Sequence, residues 1–178
     1  MNIFYLSHNT EECAQMHVDK HVVKMILEYA QLLSTTHRVL AHSKSGTMVP
    51  EDSLFYKQTH VNHPSAVWAR ESCENYFWLY DLLVDLCCEY TYRYIKTHKV
   101  QSSGLLHALR LAPTNIPACN FTEPTQAMPD EYKVIGDSIQ AYKNYYKGAK
   151  CNLFSWKNRE IPNFVAHSKS GTIGACNE

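Results

Sequence analysis

Residues 13–40 read CAQMHVDKHVVKMILEYAQLLSTTHRVL and contain neither glycine nor proline. Asn9 or Thr10 can cap a helix before this stretch, and two glutamates follow where they suit the positive end of the helix dipole. Apolar residues cover most of the helical circumference, which is typical of a central helix. We therefore predict one long, largely buried helix from Cys13 to about Leu40.

One narrow line of this helix is polar and consists of His17, His21, Lys24, Glu28 and Gln31. At ~100° per residue, these side chains lie within about 40° of one line. Such a line can face solvent, or it can form a satisfied polar seam in an oligomer. We favour a polar cavity, because a solvated face usually mixes Glu and Lys over a wider arc.

The residue types on this line suit acid–base and phosphate-binding chemistry. His17, His21 and Glu28 are the predicted catalytic residues, because imidazole exchanges protons near neutral pH and a carboxylate accepts them. Lys24 and Gln31 are predicted to bind the ligand, with Lys24 as the cation for a phosphate. The i, i+4 histidines also have a spacing that suits a metal ion. Since Lys24 would repel a cation, we predict neither a metal nor a cofactor.

The fold class predicted for the whole chain is all-α. We expect a compact bundle of three main helices with long proline-rich connections and a short extended N-terminus. Besides the first helix, the predicted elements are a strand or extended segment at 3–6, a helical turn near 54–56, a helix from Pro64 to His98 capped by Asn62 or His63, a short helix at 103–112, an irregular loop at 113–129 and a third helix from Pro129 to about Gly148.

We expect one helical domain over residues 1–165, since a chain of 178 residues is well below the size at which separate cores form. Residues 166–178 are expected to be a flexible tail. The heptapeptide AHSKSGT occurs at 41–47 and again at 166–172. It is either a duplicated polar surface loop or a pair of similar loops that contact phosphate.

The second and third helices add candidate ligand-binding residues. Beside the first helix, Arg70 would hold a phosphate and Trp68 would stack on a base. Tyrosines alternate with lysines within 141–150, a pattern that suits stacked bases above neutralised phosphates. The alternatives are an ion pair of Arg70 with Glu74 and tyrosines that only fill the core. The predicted ligand-binding residues of these helices are His63, Trp68, Arg70, Tyr142, Lys143 and Tyr146.

Composition limits the classes of partner. Seventeen basic and seventeen acidic residues cancel, so any nucleic-acid contact must be local. Seven cysteines without a C-x-x-C pair disfavour a disulfide framework or a zinc ribbon. Since no apolar run is long enough to span a membrane, we predict a cytoplasmic protein without a membrane partner. Homo-oligomer formation is left open.

Four segments resemble a family of small phage and bacterial proteins: HVDKHVVKMILEYAQLL, THVNHPSAVWARES, QAMPDEYK and AYKNYY. The resemblance spans most of residues 1–165. That family is distantly similar to the pyrimidine-dimer DNA glycosylases of the phage endonuclease V type, through His17, the turn at His63 and the aromatic-basic stretch 142–148. A phage origin would place the protein in the host cytoplasm.

The same resemblance implies departures from those glycosylases. They use a free N-terminal amine and a helix glutamate seven residues after the histidine, and the matching position here is Lys24. Met1 is not expected to be removed before the bulky Asn2, and the basic DNA-binding surface is not reproduced. We therefore do not expect dimer excision by the same mechanism, even on a shared fold.

The sequence predicts a protein that acts on a nucleotide or a nucleic acid through a pocket of histidine, lysine, glutamate and arginine. As an enzyme it would carry out base excision or phosphodiester cleavage. The alternative is a non-catalytic protein that sequesters a small nucleotide immune signal and so counters host defence. Zero net charge fits this alternative better than it fits duplex binding.

Overall fold

A computed structural model describes residues 1–44 and 54–166, apart from the side chains of 42–44. These residues form an all-α bundle without a strand, which confirms the predicted fold class. The helices are α1 (Thr10–Met16), α2 (Asp19–Lys44), α3 (Pro64–Glu71), α4 (Cys73–Tyr94), α5 (Lys99–Ser102), α6 (Leu105–Ala108), α7 (Ser138–Ala149) and α8 (Asn163–Ala166), with 3-10 turns at Asp130–Tyr132 and Cys151–Leu153.

The start of the chain is a buried extended segment, which is one of the two forms predicted for it. Ile3, Phe4, Tyr5 and Leu6 are at most 4% exposed. The Phe4 amide donates to the hydroxyl of Tyr29 on α2 at 3.1 Å. Apolar burial and this hydrogen bond hold the N-terminal segment against α2.

The first long helix is interrupted at His17, where the backbone is extended with φ −64° and ψ 135°. Arg93 is fully buried and donates to the carbonyls of Gln15 and His17, both at 2.9 Å. Trp156 donates to the carbonyl of the residue between them, also at 2.9 Å. Carbonyls at a helix end need partners. Because these distant donors supply them, α1 ends here and α2 starts two residues later.

The second long helix is interrupted as well, at Ser72. The next amide, that of Cys73, donates to the Pro117 carbonyl at 2.9 Å, and Ser72 caps α4. This contact with the proline-rich loop separates α3 from α4. The start of the helix is as predicted, because Nδ1 of His63 accepts from the Ser65 amide at 3.1 Å and a proline follows the cap.

Three shorter elements differ from the prediction. The third helix, α7, starts at Ser138 instead of Pro129, where the chain makes only a 3-10 turn. The helix expected at 103–112 is limited to α6, which a glycine at φ 85° separates from α5. Residues 54–56 form no helical turn, since the Arg38 side chain draws two of their carbonyls toward α2.

The segment after α7 is tied to the bundle by an ion pair of Arg159 and a hydrogen bond of Ser155. Glu89 is 4% exposed and binds Arg93 at 2.6 Å and Arg159 at 2.8 Å. Asp19 binds Arg93 at 2.9 Å and accepts from the Ser155 hydroxyl at 2.5 Å. Arg93 therefore links the interruption of the first helix to the C-terminal segment.

The described residues include 41–44 of the first copy of AHSKSGT and only Ala166 of the second. The domain limits 1–165 and the flexible tail 166–178 stay predictions. Within the part of the chain that the structure covers, each helix is too short or too polar to cross a bilayer.

Replacement of Arg93 by methionine should lower the free energy of unfolding by about 3–5 kcal/mol, because it takes this donor from the carbonyls of Gln15 and His17 and one of two cations from the buried Glu89. Urea denaturation followed by circular dichroism measures the loss. Arg159→Met is the matched control, since it removes the other partner of Glu89. The Arg159 side chain is 29% exposed, and we expect a loss of about 1 kcal/mol. Equal losses of unfolding free energy in the two variants would show that Arg93 is no more important to the fold than Arg159.

Candidate functional site

Three residues of the polar line open onto a cavity of about 260 Å³. Its walls come from the N-terminal segment, from α2 and from the end of α7. Its volume is near the lower end of the range for ligand pockets, so it suits one phosphorylated unit or one ring at a time. The lining residues are Met1, Asn2, Phe4, His21, Lys24, Met25, Glu28, Tyr145 and Lys150.

Glu28 lies between two amines on the cavity wall. Its Oε2 is 3.8 Å from the amino nitrogen of Met1, and its Oε1 is 3.2 Å from Nζ of Lys24, one helical turn earlier. The Glu28 side chain is 13% exposed, whereas that of Lys24 is 68% exposed. The carboxylate is therefore sheltered, and an accessible amine lies beside it.

The α7 side of the cavity carries a third amine. Lys150, which caps the C-terminus of α7, places its Nζ 4.9 Å from the ring centroid of Tyr145. The lining thus holds three amines and one carboxylate. This local excess of positive charge favours an anionic ligand such as a phosphate.

His21 is almost buried in the cavity wall, at 6% exposed. Its Nδ1 lies 2.6 Å from the Tyr146 hydroxyl, and its ring stacks on Phe4 with 4.3 Å between centroids. Burial, and then neighbouring positive charges, lower the pKa of His21 to about 3. Because the ring is uncharged at neutral pH, His21 can offer a hydrogen bond to a ligand, and its catalytic role stays a prediction.

His17 does not line the cavity and is fully buried. Its Nδ1 donates to the Cys13 carbonyl at 2.7 Å, and its Nε2 accepts from the Tyr29 hydroxyl at 3.4 Å. Burial lowers the pKa of His17 to about 4. The predicted catalytic role of His17 is corrected, since the interruption of the helix makes this residue a core contact.

Gln31 and His63 lie beyond the cavity lining. Gln31 is half-buried and one turn past Glu28 on α2. His63 is also half-buried, and burial lowers its pKa. The positive charge of the Met1 amine also lowers this pKa, whereas the negative charge of Glu28 raises it. His63 is therefore close to the charged groups of the cavity, while its own Nδ1 caps α3.

Trp68 and Arg70 hold parts of the bundle together and do not line the cavity. Trp68 is 2% exposed, and its indole N–H donates to the Thr122 carbonyl at 3.0 Å. The Arg70 guanidinium donates to the carbonyls of Val61 and Ala66 at 2.7 and 2.9 Å. The stacking and phosphate-binding roles predicted for them are corrected, because the indole is enclosed and backbone carbonyls engage the guanidinium.

The three residues of α7 that were predicted to bind the ligand pack around the cavity and do not line it. Tyr142 is buried, and its hydroxyl donates to the Thr125 carbonyl at 2.7 Å. Lys143 places its Nζ 5.7 Å from the ring centroid of Phe164. Tyr146 is fully buried behind the cavity wall. Bases cannot stack on Tyr142 or Tyr146, whose rings are enclosed.

The sequence did not predict six of the lining residues. Tyr145 and Lys150 belong to the tyrosine–lysine stretch, so their composition pointed to the right region. The apolar run at 3–6 could have indicated that the start of the chain is buried beside the first helix. The six residues are Met1, Asn2, Phe4, Met25, Tyr145 and Lys150.

His17 and His21, the two histidines of the polar line, have a spacing that suits a metal ion. In residues 1–44 and 54–166, no three His, Cys, Asp or Glu side chains come together in a way that could hold a metal ion. A ring nitrogen of His17 and one of His21 instead bond protein oxygens.

Comparisons with known proteins identify no relative of this chain. No family model, curated protein or solved structure matches the chain.

Acidification should destabilise the protein between about pH 6.5 and pH 4, because His17 is buried without charge. Its pKa is about 4 in the folded chain against 6.5 for an ordinary histidine. In this range the unfolded chain binds the additional proton, and the free energy of unfolding falls by about 3 kcal/mol on account of His17. Above this range His17 is neutral in the folded and in the unfolded chain, so it does not change the free energy of unfolding as the pH rises further.

Urea denaturation at a series of pH values measures this slope, and His17→Gln should reduce it by about one proton. His107→Gln, at an exposed position, is the control. Identical slopes in the wild type and in His17→Gln would show that His17 is not the buried neutral group described here.

Proposed function

We propose that the cavity binds one phosphorylated nucleotide unit, extruded from a nucleic acid or free, and that Glu28 moves protons while this unit is cleaved. The proposed reaction is base excision coupled to phosphodiester cleavage. The amines of the lining hold the phosphate, and Tyr145 supplies an aromatic surface beside it.

The observation that carries the proposal is the pairing of Glu28 with two amines. A sheltered carboxylate at 3.8 Å and 3.2 Å from amino nitrogens suits imine chemistry at a sugar carbon, where the amine adds and the carboxylate moves protons. Ordinary surface pairs of Glu and Lys contribute little to stability. This pair lies on a cavity wall that also carries Lys150, which favours a functional interpretation.

The proposed steps balance in atoms and electrons. Glu28 takes a proton from the ammonium group, the freed lone pair forms a bond to C1′ of the deoxyribose, and the glycosidic bond breaks as the base leaves with this proton from Glu28. The sugar ring then opens to an imine. Glu28 removes a proton from C2′, the electron pair moves into the C2′–C3′ bond, and the 3′ phosphate leaves. Water finally releases the amine. Met1 and Lys24 are the two candidate amines.

The resemblance to pyrimidine-dimer glycosylases supports this proposal. It implies an amine beside a helix carboxylate, and the chain has Lys24 at the matching position. Glu28 lies one turn later on the same helix and pairs with the Met1 amine. A carboxylate from the next turn is thus available for the role that the resemblance gives to the missing glutamate, which answers one of the three departures from those glycosylases.

The charge and the size of the cavity favour a second candidate, a protein that sequesters a free nucleotide. Basic and acidic residues are equal in number, and the cavity measures about 260 Å³. A neutral protein with a small cationic cavity suits a small anion, because duplex binding requires many phosphate contacts. Sequestration would use the same amines without proton transfer by Glu28.

Borohydride reduction should trap a covalent adduct when the protein is incubated with a duplex that carries an abasic site or a pyrimidine dimer, because borohydride converts an imine to a stable amine. Mass spectrometry of the adduct peptide distinguishes Met1 from Lys24. Glu28→Gln should lower strand cleavage about 100-fold. Duplex binding, measured by fluorescence anisotropy, should change little in that variant.

Lys150→Ala should weaken ligand binding about tenfold through the loss of a phosphate contact. Lys147→Ala is its matched control, because Lys147 lies in the last turn of α7 and does not line the cavity. Free nucleotides that are recovered intact after the protein is denatured would favour sequestration. The absence of both an adduct and a retained nucleotide would contradict both functions.

A further inference from the structure

A buried hydrogen bond connects the cavity to α7. The Tyr146 hydroxyl lies 2.6 Å from Nδ1 of His21, and Tyr146 is fully buried. Among the described residues, Nδ1 of His21 is the hydrogen-bond partner that the structure gives this hydroxyl. Because the bond is buried, the positions of its protons can be assigned.

Donor and acceptor counting assigns these protons. A hydroxyl can donate and accept, whereas a neutral imidazole has one donor and one acceptor nitrogen. If Nδ1 of His21 donated, the hydroxyl proton would lack an acceptor in the core, which is unfavourable for a buried group. The hydroxyl therefore donates to Nδ1. Since burial keeps the imidazole uncharged, its one proton lies on Nε2.

We infer that Tyr146 is a positioning residue that fixes His21 as the Nε2–H tautomer, and that His21 thereby donates a hydrogen bond to an oxyanion of the ligand. The ring lines the cavity with its Nδ1 edge toward Tyr146, which leaves the Nε2 edge for a ligand. Stacking on Phe4, with 18° between the ring planes, holds the ring in this orientation.

The surrounding charges indicate why the acceptor is an oxyanion. An oxygen that receives the Nε2 proton would lie among the amines of Met1, Lys24 and Lys150, which line the same cavity. The amines attract the anion by charge, whereas the neutral ring recognises the position of one oxygen. The identity of the ligand rests on the proposed function, but the tautomer does not.

Nitrogen-15 NMR of protein labelled in its histidines tests the tautomer, with the His21 signals identified by their loss in His21→Asn. We expect a pyridine-type shift for Nδ1 and a pyrrole-type shift for Nε2. Tyr146→Phe should admit the other tautomer and move both shifts toward an average. Tyr142→Phe is the matched control, because this tyrosine is equally buried on α7 and its hydroxyl donates to Thr125. A pyrrole-type Nδ1 in the wild type, or an unchanged spectrum in Tyr146→Phe, would overturn the assignment.

Titration with inorganic phosphate tests the oxyanion. We expect the Nε2 signal of His21 to move as phosphate binds, and the affinity to fall about tenfold in Tyr146→Phe but not in Tyr142→Phe. His21→Gln should retain most of the binding, because its amide places an N–H near the position of Nε2, whereas His21→Asn should lose it. Absence of phosphate binding, or binding that leaves the Nε2 signal unmoved, would refute this part.

These measurements involve no turnover and are independent of the cleavage assay. An Nε2–H tautomer with a phosphate-dependent shift, but without a borohydride adduct, would support this inference and remove the proposed reaction. A borohydride adduct together with an Nδ1–H tautomer would support the reaction and remove the inference.

Discussion

The buried guanidinium of Arg93 is the interaction on which the rest of the structure depends. It binds the carbonyls of Gln15 and His17 at the end of α1 and the carboxylates of Asp19 and Glu89. A fully buried charge is tolerated only where such partners surround it. Because these partners belong to α1, α2 and α4, the three helices must take one arrangement to satisfy it. The interruption of the first long helix is the direct result.

This interruption decides what each histidine of the polar line does. The chain turns after His17, so that ring packs in the core, whereas His21 in the first turn of α2 lines the cavity. The ion pairs of Arg93 and Glu89 continue to the segment after α7. One network therefore joins α1, α2, α4 and that segment.

Zero net charge conceals an uneven distribution of charge. Three amines and Glu28 line the candidate cavity, whereas Glu11, Asp85 and Glu89 line a hollow between α1 and α4 in which Arg159 is the cation. The local excess is thus positive in the cavity and negative in the hollow, although the formal charges cancel over the chain. An anion can be attracted to one side of a neutral protein in this way, so the whole-chain charge argues against an extended duplex contact and not against a local one.

The sequence by itself determined the helical class, the start of the second long helix at Pro64 and the polar line with Lys24 and Glu28, because periodicity and capping are local properties of the chain. Tertiary structure decided which members of that line reach the cavity and which residues join them. Met1 and Lys150 are far apart in sequence and meet beside α2 only in the folded chain. The interruption of the first helix likewise depends on a donor 76 residues further along. Local patterns contain no information about such partners, so only the packing could separate the core histidine from the cavity histidine.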